Sequence, residues 1–214
     1  IALIYPTLPN ISHLEKYYPK QPLQIYSKEG ALIAEFGEER RDFIAISDTP
    51  QQMINAILSI EDRRFFEHPG IDFIGITRAA LKNLTGRSHE GASTITMQVA
   101  RNFFLTSERT FKRKINEILL AIKIERTLSK EEILELYINQ IYLGQRSFGF
   151  AAAANTYYGK NLDQLNLGET ALLAGLPKAP SRYNPFIRPH LSIKRQQDVL
   201  NSMLRHGYID KPTY

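Results

Sequence analysis

IEDRRFFEHPG, residues 60–70, puts two adjacent acids at the far end of an apolar helical pattern and follows them with two arginines, two phenylalanines and a histidine. The pattern begins at Thr49-Pro50, an N-cap residue followed by a proline suited to the first helical position. It continues through Met53, Ile54, Ile57, Leu58 and Ile60 at three- and four-residue spacing, which predicts a helix that delivers Glu61 at its end. If the helix persisted to residue 68, Glu61, Phe65 and His68 would share a face at i, i+4 and i+7, with Asp62 turned about 100° away. Two neighbouring carboxylates would then have different surroundings, so that one can be tuned as a base while the other does structural work. On these residues alone, a surface acid pair bridging Arg63 or Arg64 is an equal reading.

Working outward, residues 1 to about 22 hold four prolines among tyrosines and lysines and read as an extended lead-in. Two short alternating runs, 23–27 and 31–36, flank Lys28-Glu29-Gly30 and predict a β-hairpin. Further helices are expected over about 72–84, 93–104 and 108–127, and from Ser129, where SKEE makes a capping box with Glu132. Others follow at about 149–158, at 166–176 with Pro177 as its stop, and at 190–206 closed by Gly207. The chain is thus mainly α with a small N-terminal β-hairpin.

A second charged cluster lies in SERTFKRKINE. Arg109, Lys112, Arg113 and Lys114 crowd the start of a helix whose expected apolar face is Phe111, Ile115, Ile118, Leu119 and Ile122. Cations at a helix N-terminus oppose its dipole and repel one another. Either Glu117 makes surface pairs with Arg113 and Lys114, or the group is a phosphate clamp with a carboxylate set into it. Between the two clusters, GRSHEGASTITMQVARN leads into a helix near Ser93 or Thr94. Its free N–H groups and hydroxyls are either an ordinary cap or an anion site, and Gln98, Arg101 and Asn102 follow on or beside one face.

Composition limits the alternatives. At 214 residues and net charge +5, the chain can bury a sizeable core and favours anionic partners without choosing among them. It has no cysteine and no apolar run of 18 residues, so it forms no disulfide or thiolate site and holds no membrane-spanning helix. Walker, dinucleotide, His-Glu-x-x-His and Gly-x-Ser-x-Gly motifs are missing, and five scattered histidines show no metal spacing. The opening IALIYPTLP, without an initiator Met, reads as the start of a piece cut from a longer chain or as a processed terminus.

In this order, EDRRFFEHPG from Glu61, GASTITMQ from Gly91, RKINE from Arg113, KEEILELYIN from Lys130 and RQQDVL from Arg195 resemble the five motifs of the peptidoglycan glycosyltransferases, glycosyltransferase family 51. This is the catalytic domain of class A penicillin-binding proteins. RNFFL, GLPKAP and FGEERR are most similar to the 1A branch. The resemblance implies a lysozyme-like, two-lobed fold, with 46–214 as the glycosyltransferase domain, a large lobe plus a smaller membrane-facing one, and 1–45 as lead-in and hairpin linker. It places the general base on Glu61 and makes Glu117 a second catalytic residue, lying among the diphosphate-binding groups. Ser93, Thr94, Gln98, Arg101, Asn102, Arg113, Lys114 and Lys178 are carried over as substrate-binding, with Arg78 and Arg195 beside them. Asp62, Phe65 and His68 belong to the same site and shape the end of the Glu61 helix. Met97 stands where the family usually has the first of two glutamines.

The implied reaction joins lipid II to a growing lipid-linked glycan chain through a β-1,4 bond, with inversion and release of undecaprenyl diphosphate. No cofactor or metal is required by it, and Mg2+ or Mn2+ would only assist the diphosphate. The implied setting is the outer face of the bacterial cytoplasmic membrane, on a parent chain whose transpeptidase domain and membrane helix lie outside these residues. Nucleic acid is not among the expected partners. Two rivals remain, a lysozyme-like glycoside hydrolase, which also uses a glutamate at a helix end, and a basic module that docks on an anionic surface.

Overall fold

Caps and apolar spacing become helices close to where the sequence puts them. In the computed structural model, which describes residues 8–12, 14, 17, 23–30, 32–84, 93–105 and 110–214, β1 (Leu23–Tyr26) and β2 (Leu32–Phe36) are followed by β3 (Arg40–Arg41). Then come α1 (Gln51–Glu61), α2 (Phe73–Leu84), α3 (Ile95–Phe104), α4 (Phe111–Glu125) and α5 (Lys130–Gln140). After β4 (Tyr142–Gly144) and β5 (Ser147–Phe148), the chain forms α6 (Phe150–Tyr158), α7 (Leu167–Gly175) and α8 (Pro189–Arg205). Most of the expected lead-in, and residues 85–92 and 106–109 of the two polar stretches, lie outside the described residues.

Contacts divide the chain into two units, residues 1–17 with 57–137, and 18–56 with 138–214. In the first, α3 packs on α4, and the buried side chains include Ile57, Phe65, Ile95, Met97, Leu120, Ile124, Ile133 and Leu134. In the second, α7 packs on α8, and α6 packs on α7 and the short strands. Its core holds Phe150, the alanines 151–154, Leu173, Leu176, Val199 and Met203.

The local signals hold at several ends. Ser129 and Glu132 exchange the two bonds of a capping box, as do Asn166 and Glu169 at α7. Gly207 closes α8 at φ +75°. At α1 the expected cap is absent: the Thr49 hydroxyl donates to Ala45 O, and the first helical bonds run to Pro50 O. The hairpin β1–β2 is antiparallel with a bulge between Ile25 and Tyr26.

A second sheet was not expected. β5 pairs parallel with β3 and antiparallel with β4. Strands of two or three residues leave no alternation to read. The turn joining β4 to β5 places Gln145 and Arg146 at φ 49° and 63°, a left-handed pair that suits a tight hairpin but strains residues with a Cβ. Arg146 is tied down by its guanidinium, which donates to the carbonyls of Glu38 and Gly37, and by its own carbonyl, which accepts from Arg40 N–H.

Helix α4 also turns differently from expectation. It buries Glu117, Leu119, Leu120, Ala121 and Ile124; of the expected stripe only Leu119 is buried, Ile118 and Ile122 are half-buried, and Phe111 is 92% exposed and Ile115 45%. The expected stripe therefore faces partly outward, because Glu117, once neutralised by its neighbours, can go inward.

Candidate active site

The geometry around Glu61 and Glu117 lies within the first unit. α1 stops at Glu61, so Phe65 and His68 do not continue its face. One more helical bond, from Asp62 N–H to Leu58 O at 3.1 Å, carries the chain into a run of turns. The two acids then part. Glu61 is half-buried. Asp62 is 7% exposed and accepts from Ile95 N–H at 3.0 Å while meeting His68 Nε2 at 2.9 and 3.0 Å. That N–H is one of the unpaired donors at the start of α3, where the helix dipole favours an anion. Asp62 thus docks the end of α1 on the start of α3. Phe65, fully buried, lies edge-on to the His68 ring. The Nδ1 of His68 is buried and has no partner among the described residues.

The start of α3 is fixed twice more. Thr94 caps it by accepting from Met97 N–H at 3.2 Å, and its hydroxyl donates to Gly70 O at 2.6 Å. Gly70 sits at φ +88°, and a Cβ there would lie 2.9 Å from Glu125 Cγ and 3.2 Å from Ala121 O. Only glycine admits both the backbone angle and the close approach to α4. One turn into α3, Gln98 is 5% exposed and donates from Nε2 to Glu61 Oε2 at 2.9 Å. Met97 faces the core at 1% exposure. Farther along, Arg101 is half-buried and Asn102 exposed.

Glu117 has no exposed surface. Its Oε2 accepts from Arg113 Nη1 at 2.8 Å and its Oε1 from Lys114 Nζ at 2.8 Å. Lys114 Nζ also donates to Ser93 Oγ at 2.9 Å. The cations gathered at the start of α4 are therefore compensated by one carboxylate two turns in, and two cations around one anion leave net positive charge. Arg113 Nε is buried without a partner among the described residues, while the Lys114 side chain remains 38% exposed. Such an arrangement can receive an anion. Arg109 lies outside the described residues.

The remaining candidates stand on other elements. Arg78 is half-buried on α2. In the second unit Lys178 is exposed on a 3-10 turn after α7. Arg195, 6% exposed, donates from Nε to Gly175 O at 3.1 Å and so ties α8 to the end of α7. Sequence reasoning missed Lys130, Glu125 and Thr96, whose contacts meet beneath the Glu61 loop. Lys130 was visible as part of a helix cap and as the first residue of the KEEILELYIN motif, without a role at the site. Among the described residues, no group of three or more His, Asp or Glu side chains could hold a metal ion, and no helix is long and apolar enough to cross a membrane.

Against known proteins, a family model described as transglycosylase matches residues 29–204. Penicillin-binding protein 1A of Neisseria gonorrhoeae is 54% identical over 210 residues, which is 98% of this chain and 26% of that protein. The Pseudomonas aeruginosa protein of the same name is 53% identical over 210 residues, again 98% of this chain and 26% of that one. The chain thus spans about a quarter of the length of these relatives. The crystal structure of penicillin-binding protein 1A from Haemophilus influenzae superposes with TM-score 0.52 at 33% identity, covering 92% of this chain and 20% of that one.

Proposed function

The chain belongs to the transglycosylase family, and on that premise we propose that it polymerises lipid II into β-1,4 glycan strands. The growing lipid-linked chain is the donor and lipid II the acceptor. Glu61 takes the proton from the acceptor sugar's 4-hydroxyl as that oxygen bonds to the donor's anomeric carbon. The bond from that carbon to the diphosphate breaks in the same displacement, which converts an α-linked donor into a β-linked product. Arg113 and Lys114 stabilise the charge on the departing undecaprenyl diphosphate. Ser93 and Glu117 hold those cations in place, and Gln98 orients the base.

One observation carries this reading: a single helix, α3, holds the Glu61 carboxylate through Gln98 and is preceded by Ser93, which holds Lys114 of the cationic cluster. A hydrolase acting on finished strands needs a helix-end glutamate but no such cluster. The parent protein is proposed to be anchored in the cytoplasmic membrane, with this domain on the outer side and a transpeptidase domain elsewhere in the chain. Any Mg2+ or Mn2+ would add charge at the diphosphate beside Arg113 and Lys114, and comparing rates with and without a chelator measures that contribution.

The test is Glu61→Gln assayed with labelled lipid II. Turnover is expected to fall by about 10²- to 10⁴-fold. Polymer formation near the wild-type rate would remove Glu61 as the base, and shortening of finished glycan strands without use of lipid II would favour the hydrolase.

A further inference from the structure

Beneath the Glu61 loop, Lys130 at the start of α5 touches elements that the proposed reaction leaves without a role. Its Nζ donates to His68 O at 2.7 Å and to Glu125 Oε1 at 2.8 Å, and stands 4.4 Å over the Phe65 ring. The same Glu125 oxygen accepts from Thr96 Oγ1 at 2.5 Å, in the first turn of α3. Lys130 and Glu125 are 18% and 9% exposed, so the pair is largely out of water and its bonds are charge-assisted. A pair this buried adds little net stability over a neutral pair of the same shape. What it does add is geometry. It bonds the loop after Glu61 at one end and α3 at the other, at the residue after the Asp62 bond to Ile95 N–H and two residues before Gln98.

We propose that Lys130 is a positioning residue for the base. Through Glu125 and Thr96 it sets the register of α3 against the 62–70 loop, and so the seat of the Gln98 amide on the Glu61 carboxylate. This rests on the reading of Glu61 as general base. Displacement of a base by about 1 Å can cost about 10²-fold in rate, so a contact remote from the substrate can act on turnover without acting on binding.

The test uses Lys130→Met combined with Glu125→Gln, which keeps side-chain volume and leaves no lone charge, together with Thr96→Val, which cuts only the link to α3 and preserves the ion pair. Thermal unfolding checks the fold, and kcat and KM are measured with labelled lipid II. The paired variant is expected to lose about 3- to 10-fold in kcat, and Thr96→Val about 2- to 5-fold, with KM changed less than about twofold. Combined with Gln98→Met, the loss should be far less than the product of the separate losses, because both act on one contact. Unchanged kcat in the folded variants, or losses that simply multiply, overturns the proposal. Glu61→Gln in the same assay separates the two claims. Full activity there removes the base and this proposal with it. An inactive Glu61→Gln beside a fully active Lys130→Met/Glu125→Gln removes this proposal alone.

Discussion

The end of α1 and the first turns of α4 each present a glutamate, and the two are held in opposite ways. Glu61 is half-buried and receives an uncharged amide. Glu117 is fully buried between an arginine and a lysine. A carboxylate saturated by two cations has its lone pairs engaged and its charge compensated, and moving it would break two buried ion pairs. One oriented by an amide has its direction fixed without a neutralising charge. The contrast supports the proposal that Glu61 does the chemistry while Glu117 arranges the cations.

Exchanging each acid for its amide is the hardest test of that contrast. Glu61→Gln should lose the most activity of any single change, about 10²- to 10⁴-fold in kcat, and unfold at nearly the wild-type temperature. Glu117→Gln should show the reverse emphasis. It leaves Arg113 and Lys114 facing each other without their anion and should cost about 3 kcal/mol of stability. With the cations displaced, KM for lipid II should rise. Thermal unfolding followed by circular dichroism, with steady-state kinetics on the same preparations, reads both. A Glu117→Gln protein that melts like wild type yet is as inactive as Glu61→Gln would break the distinction.

How far the sequence anticipates this contrast depends on how local each cause is. Caps and apolar periods act within one or two turns, so SKEE, the Asn166–Glu169 box and Gly207 announce their helix ends directly. The Glu61–Asp62 pair is readable as a pair. Its division of labour is not, because α1 stops at Glu61 and Asp62 finds its donors on His68 and Ile95, through turns that no helical period encodes. What Lys130 bonds is hidden for the same reason: its partner is a carbonyl 62 residues earlier, and a carbonyl has no side-chain signature. Residues 111–122 misled in another way. Periodicity favours the Phe111–Ile115 stripe as the buried face, and two nearby cations made it possible to bury Glu117 instead.

A smaller effect is expected where the amide itself is removed. Gln98→Met keeps the volume of a side chain that is 5% exposed but takes away the donor to Glu61. Stability should change by about 1 kcal/mol, and kcat should fall about tenfold while KM stays within about twofold. Unchanged kcat in the folded variant would mean that Glu61 is oriented by something other than Gln98.

The smallest expected effect comes from a third carboxylate, Asp72, which pairs with Arg64 and accepts from Gly75 N–H at the start of α2. Burial pushes its carboxyl up, but the Arg64 hydrogen bond, the Gly75 N–H and the Arg64 charge together outweigh burial and hold it below the usual carboxylate range. A depressed folded pKa gives stability that is fully present above the unfolded value of about 3.9 and is lost as pH falls through the folded value. Asp72→Asn should therefore be less stable than wild type at neutral pH, by less than Glu117→Gln, and the gap should close in acid, below about pH 4. Turnover at neutral pH should stay within about twofold. Such an outcome, read from unfolding curves across pH, would extend the rule to a third site: a carboxylate held by a cation carries structure, while the one held by an amide carries the reaction. A large loss of turnover in Asp72→Asn without loss of stability would show that the kind of partner does not sort these acids.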